Sequence, residues 1–218
     1  MMLVVVVASG ELDERDGRWL GAADLLIAAD GGAASLDRIG RRPDRLIGDL
    51  DSVSPDLVER LGAAGTRIER HPTDKDASDT ELALEAALAA GGTRIVLLGG
   101  LGGVRLDHEI ANLLLLADPG LADVDVRLAR GGTTVRVLRG GGRLALDRAD
   151  GGLLSLLPIG GDATGVTATG VRWELGHAVL RMGRSRGLSN ELIGASASVS
   201  LEHGTLLVVQ SDSQGATS

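Results

Sequence analysis

Apolar positions over roughly the first 130 residues fall into two alternating textures. Short β-branched runs read "LVVVVA" (3–8), "LLIAAD" (25–30), "RLIGD" (45–49), "TRIER" (66–70), "RIVLLGG" (94–100) and "VDVRLA" (124–129). Between them lie Ala- and Leu-rich stretches with helical spacing: "GGAASLDRIG" (31–40), "PDLVERLGAAG" (55–65), "DTELALEAALAAGG" (79–92) and "DHEIANLLLLAD" (107–118). Strand and helix in alternation, with strands apolar throughout, predict an α/β domain over 1–130 whose parallel sheet is covered on both faces. Ligands of such sheets bind beyond the carboxyl ends of the strands.

The pattern changes after Arg130. "TTVRVLRG", "GRLALD", "GLLSLLPI", "TGVTAT", "HAVLRM", "SASVSLEHG" and "TLLVVQ" are short, β-prone and separated by Gly-rich turns. This predicts an all-β sandwich over 131–211, with the boundary near "ARGGTT" (129–134). The small polar end, 212–218, is expected to be disordered.

Composition narrows the chemistry. Of 218 residues 44% are hydrophobic, yet Phe and Tyr are absent and Trp occurs twice, so the core must be aliphatic and a stacked ligand has only Trp19 and Trp173. The formal charge is −8 and no basic tract offsets it, which argues against nucleic-acid binding. With no cysteine there is neither a disulfide framework nor a thiolate metal site. The apolar start is short and lacks a basic leader, so it reads as a strand rather than a signal peptide. No segment approaches the ~20 apolar residues of a membrane span, and a cytoplasmic protein is the expectation.

Acidic residues and glycines cluster at the predicted strand ends. Asp30-Gly31-Gly32 closes the second strand, Asp49 and Asp51 close the third, and "GGLGGVRLDH" leads from the fifth towards Arg105, Asp107 and His108. Asp-Gly is also an ordinary turn. If "GDLDS" is extended, Asp49 and Asp51 point to one side, and two like charges so placed call for a cation between them; hard oxygen ligands suit Mg²⁺. In "DKDASDTE" the Ser78/Glu81 spacing is that of a capping box, with Asp79 in the first helical turn. Asp74, Lys75 and Asp76 then form either a solvated acidic loop or part of a site. Asp107 reads equally as a helix N-cap or a site residue, whereas Arg105 beside a glycine turn offers forked donors to a phosphate. Downstream, Ser189 and Asn190 in "RGLSNELIG" are a polar inter-strand loop or hydrogen-bonding groups for a small polar ligand. His71, His177 and His203 read as incidental.

Five motifs in order, "ADGGA" (29–33), "PDRLIGDLDS" (43–52), "DKDASDTELAL" (74–84), "GLGGVRLDHEIAN" (100–112) and "GLSNE" (187–191), resemble the thiamine pyrophosphokinase (thiamine diphosphokinase) family. The resemblance implies Mg²⁺-dependent transfer of the terminal pyrophosphoryl group of ATP to the hydroxyethyl oxygen of thiamine, with release of AMP. It also implies a homodimer in which both subunits contribute to each cleft. Carried over by position, Asp49, Asp51, Asp79 and Arg105 are implied as catalytic, the three aspartates as the metal ligands. Asp30, Gly31, Gly32, Lys75, Asp76, Arg105 and His108 are implied as ATP contacts. Asp107, Ser189 and Asn190 are implied as substrate contacts. The chain departs from the family pattern at Val104, where a second glycine is usual, and at Ser78, where threonine is usual. Two other functions fit the same residues: pyrophosphorylation of another alcohol such as a hydroxymethylpterin, and a non-catalytic regulator that binds nucleotide or thiamine.

Overall fold

A computed structural model describes residues 1–147, 152–193 and 196–212. The fold is mixed α/β, with strands of a large sheet and a second, antiparallel four-stranded sheet. By contact density the chain divides after Gly131 into two compact units.

The first unit runs β1 (Leu3–Val7), α1 (Gly17–Ala22), β2 (Leu25–Ala29), α2 (Gly32–Arg38), β3 (Arg45–Gly48), α3 (Pro55–Ala63), β4 (Arg67–Arg70), α4 (Asp79–Ala89), β5 (Arg94–Leu98), α5 (Leu106–Leu115) and β6 (Asp125–Arg130). Its strands pair parallel in the order β6-β5-β1-β2-β3-β4. Val5, Val7, Leu26, Ala28, Leu46, Val96 and Leu98 pack with Leu20, Leu36, Leu57 and Leu61 of α1, α2 and α3. The alternate residues Val4, Val6, Ile27, Ile47, Ile95 and Leu97 are equally buried, and α4 packs against β1, β2 and β3. Burial on both faces is why these strands lack a polar alternation. The chain winds outward from β1 to β4 and then returns to the other side of β1 as β5. That reversal opens a crevice at the carboxyl ends of β1 and β5.

Local chemistry sets the helix starts. Ser54 caps α3, accepting from the Leu57 N–H with Pro55 at the first helical position, and Ser78 caps α4, accepting from the Glu81 N–H at 3.2 Å. α5 differs from expectation: its N-cap is Arg105, and Asp107 falls within the first turn. The short helix α1 carries no periodic apolar stripe long enough to announce it.

The second unit holds β7 (Thr133–Arg139), β8 (Arg143–Ala145), β9 (Leu153–Pro158), β10 (Ala163–Thr169), β11 (Leu175–Leu180), β12 (Asn190–Glu191), β13 (Ser198–Ser200) and β14 (Thr205–Ser211). All its pairings are antiparallel, β7-β14-β9-β12 in one set and β8-β13-β10-β11 in the other. The two sets share one apolar cluster, to which Leu138, Leu154, Leu156, Leu206 and Val208 come from the first and Val166, Ala168, Leu180 and Val199 from the second. The Asp212 N–H donates to Gly132 O; the rest of the tail, 213–218, lies outside the described residues. Among the described residues no helix is long and apolar enough to cross a membrane.

Candidate active site

The crevice predicted by the strand order is a cleft of about 500 Å³ in the first unit. Its floor is made by the turns after β1 and β5. The Gly10 N–H donates to Gly99 O at 2.8 Å, and a Cβ on Gly10 would lie 2.3 Å from that oxygen. Glycine is therefore required for the two turns to touch. Gly31 and Gly32 serve packing in the same way: a Cβ on Gly32 would sit 1.9 Å from Val7 O. Both are buried, Gly31 beside Ser9 and Ser52 and Gly32 where α2 meets β1, and neither lines the cleft.

Three carboxylates converge above this floor. Asp30, Asp49 and Asp79 each place an oxygen within 4.8 Å of the other two. Parallel register explains the first pair, because Ala29 pairs with Ile47 and so sets Asp30 beside Gly48 and Asp49 at adjacent strand ends. Asp79 arrives from across the cleft as the first residue of α4. Gly48, at φ 148°, leaves room for it; a Cβ there would lie 3.0 Å from Asp79 Cγ and 3.1 Å from Asp30 Cβ. Sequence reading passed over Gly48, and placed Asp30 among nucleotide contacts rather than with the carboxylate group. The signal for Asp30 was its place at the end of a predicted strand, the same place that Asp49 has on the next one.

Asp51 lines the cleft but stands outside this group. Leu50 has φ 65°, so the segment turns and is not extended as the sequence reading supposed. The Asp51 N–H then donates back to Asp49 Oδ1 at 3.2 Å, and Asp51 Oδ1 accepts from Ser52 Oγ at 2.9 Å. Positive φ at a bulky residue is strained, as is φ 44° at Asp30, and such strain collects at functional sites.

Carboxylates this close repel unless something positive joins them. Lys75 Nζ lies 3.0 Å from Asp79 Oδ1 and 3.7 Å from Asp49 Oδ2, and the positive end of α4 adds to it. Burial pulls the Lys75 pKa down, but Asp79 and then Asp49 more than offset this and leave it above its ordinary value. The Asp51 N–H, with Lys75 behind it, holds the Asp49 carboxyl below its ordinary range. Compensation is incomplete. Asp30, 5% exposed, has a buried Oδ1 with no hydrogen-bond partner, and Asp79 Oδ1 meets Lys75 as an ion pair without an aligned hydrogen bond. Oxygen donors with an orphaned buried atom suit a small hard cation.

The opposite wall carries Val104, Arg105 and His108. Arg105 is gripped by Asp107 through two parallel hydrogen bonds, Nε to Oδ1 at 2.9 Å and Nη2 to Oδ2 at 2.5 Å. The pairing pushes the Asp107 carboxyl well below its usual range. Asp107 itself does not line the cleft, nor does Asp76, which is exposed.

Ser189 and Asn190 lie in the second unit, lining a pocket of about 470 Å³ with Leu156, Trp173, Leu175 and Leu188. Ser189 has φ 56°, and its N–H donates to Ser155 Oγ. The Asn190 side chain is engaged by Trp173, accepting from its N–H at 3.1 Å and donating to its carbonyl at 2.7 Å. Trp173 thus stands 55% exposed on a clamped backbone, with the Arg172 guanidinium 5.2 Å from its ring centroid. Trp19 packs on the first unit's core and is no candidate for stacking.

Comparison with known proteins decides the family. The pattern described as "Thiamin pyrophosphokinase, catalytic domain" matches residues 17–128, and "Thiamin pyrophosphokinase, vitamin B1 binding domain" matches 143–206. The chain belongs to the thiamine pyrophosphokinase family. Thiamine pyrophosphokinase of Bacillus subtilis (strain 168) is 27% identical over 187 residues, covering 86% of this chain and 87% of its own length. The crystal structure from Bacillus subtilis superposes with a TM-score of 0.83 at 26% identity, covering 96% of this chain and 99% of that one. A thiamin pyrophosphokinase from Geobacillus thermodenitrificans gives 0.82 at 28% identity, covering 97% and 98%. The catalytic-domain match contains all three converging carboxylates, and the vitamin B1 binding match contains Trp173, Ser189 and Asn190.

Proposed function

We propose that this chain transfers the pyrophosphoryl group of ATP to the hydroxyethyl oxygen of thiamine, yielding thiamine diphosphate and AMP. The observation that carries the reading is the meeting of Asp30, Asp49 and Asp79, with one buried oxygen left unpartnered, above two touching glycine turns. Membership of the family supports both substrates.

In this reading the cleft of the α/β domain binds the triphosphate and the β-sandwich domain binds thiamine. Asp30, Asp49 and Asp79 would hold Mg²⁺, with Asp51 beside them on the cleft wall. The ion, when bound, supplies positive charge to the triphosphate. The chain supplies the rest. Lys75 and Arg105 neutralise non-bridging oxygens, and the α4 N-terminus favours negative charge at the same place. Trp173 offers its face to a cationic ring, while Ser189 and Asn190 fix that part of the wall. The alcohol oxygen forms a bond to the β-phosphorus and releases its proton to solvent as the bond from that phosphorus to the α,β-bridging oxygen breaks, so AMP leaves. Such transfers depend chiefly on positioning and electrostatic stabilisation.

A homodimer belongs to the same proposal. Leu106, Ile110 and Leu114, four apart on α5, are exposed and support it. The cytoplasmic location expected from sequence is part of it too. Incubation of the purified chain with ATP, Mg²⁺ and either thiamine or a hydroxymethylpterin tests the substrate assignment. AMP and thiamine diphosphate should form in equal amounts with thiamine alone. Formation of AMP only with the pterin, or binding of both ligands without AMP, would contradict it.

A further inference from the structure

Lys75 stands where the charge of a metal ion is needed. Its ammonium contacts Asp79 and Asp49, two of the three converging carboxylates, and its side chain is only 15% exposed. A single ammonium, which donates its hydrogen bond to Pro72 O at 3.1 Å, pairs by charge with two of these groups and leaves Asp30 Oδ1 without a hydrogen-bond partner. A divalent cation entering the group would have to displace Lys75 or accept a like charge against its own ligands. The lysine has somewhere to go. It lies in the loop ahead of α4 and lines the cleft proposed for the triphosphate, and it carries a long, flexible stem.

We propose that Lys75 is an internal counter-ion, holding the carboxylates together until a triphosphate draws it away, so that metal and nucleotide enter the site as a pair. This rests on the metal-binding reading above and adds a direction to it. Lys75 opposes metal binding alone and favours nucleotide binding alone. Reciprocity then requires that each ligand strengthen the other. A residue that merely shapes the site would affect both in the same sense.

Two titrations on the full chain separate these cases. In the first, Mn²⁺ alone is added without nucleotide and free Mn²⁺ is followed by electron paramagnetic resonance. Lys75→Met should bind at least about tenfold tighter than the unmodified chain, Lys75→Arg should resemble the unmodified chain, and Asp30→Asn should bind more weakly. In the second, ATP is added in the presence of a chelator, and Lys75→Met should lose roughly tenfold in affinity. Lys75→Gln repeats both measurements with a second uncharged side chain, and circular dichroism checks that each variant is folded. Equal or weaker Mn²⁺ binding by the uncharged variants, with binding by the unmodified chain intact, overturns the counter-ion role and leaves the metal group standing. Absence of Mn²⁺ binding in every variant overturns both.

Discussion

Leu50 bends the chain between Asp49 and Asp51, and Gly48 makes room for Asp79 on the other side. These two backbone features determine which carboxylates meet. Gly48→Ala would drive a methyl group into Asp79 and Asp30 at a positive φ, at a cost of about 1–3 kcal/mol. Thermal denaturation should show that loss, and turnover should fall further than stability alone explains, because the carboxylates are pushed apart. Unchanged turnover would contradict the packing argument. Asp49 gives a pH test. Its pKa is depressed by the Asp51 N–H and by Lys75, so its stabilisation is present above the unfolded value of about 3.9 and is lost as pH falls through the folded value. Asp49→Asn should therefore flatten the decline of Tm below about pH 4; an acid limb identical to that of the unmodified chain would refute this. Neither backbone feature was legible in the sequence. A leucine at positive φ carries no compositional signal, and extended geometry was the natural assumption for "GDLDS".

The elements themselves were legible where burial imposes a period. Continuous apolar strands and helical spacing announced β1, β2, β3, β5, β6 and α2 to α5, whereas the edge strand β4, Arg67–Arg70, is neither apolar nor buried, and Ser54-Pro55 and Ser78 announced where two helices begin. Lateral strand order was not, and it is the order β5-β1-β2-β3 that brings Asp30 beside Asp49. Asn190 shows a different gap. Sequence could mark it as a polar break in a β pattern, but only coordinates show its amide spent on the Trp173 backbone. In the proposed thiamine site it then acts as a positioning residue for the indole. Trp173→Ala and Asn190→Ala should both raise the KM for thiamine, by roughly tenfold for Trp173 if the ring makes a desolvated cation–π contact, and leave the KM for ATP unchanged. Steady-state kinetics with each substrate varied would show it. A rise in the ATP KM instead would remove the indole from the thiamine site.

In the proposed function the two units divide the chemistry between them: carboxylates, Lys75 and Arg105 line the cleft of the first, and the exposed indole with Ser189 and Asn190 lines the pocket of the second. Family membership assigns names to the halves, and the site supplies a physical reason for them. The central claim is that Asp30, Asp49 and Asp79 jointly hold the ion that lets ATP give up its pyrophosphoryl group. Its most direct test is chromatographic measurement of AMP and thiamine diphosphate formed by the unmodified chain and by Asp30→Asn, Asp49→Asn and Asp79→Asn across a Mg²⁺ titration. Each variant should stay folded, need more Mg²⁺ and lose at least about a hundredfold in turnover. Near-normal turnover at the same Mg²⁺ in all three variants would contradict the account.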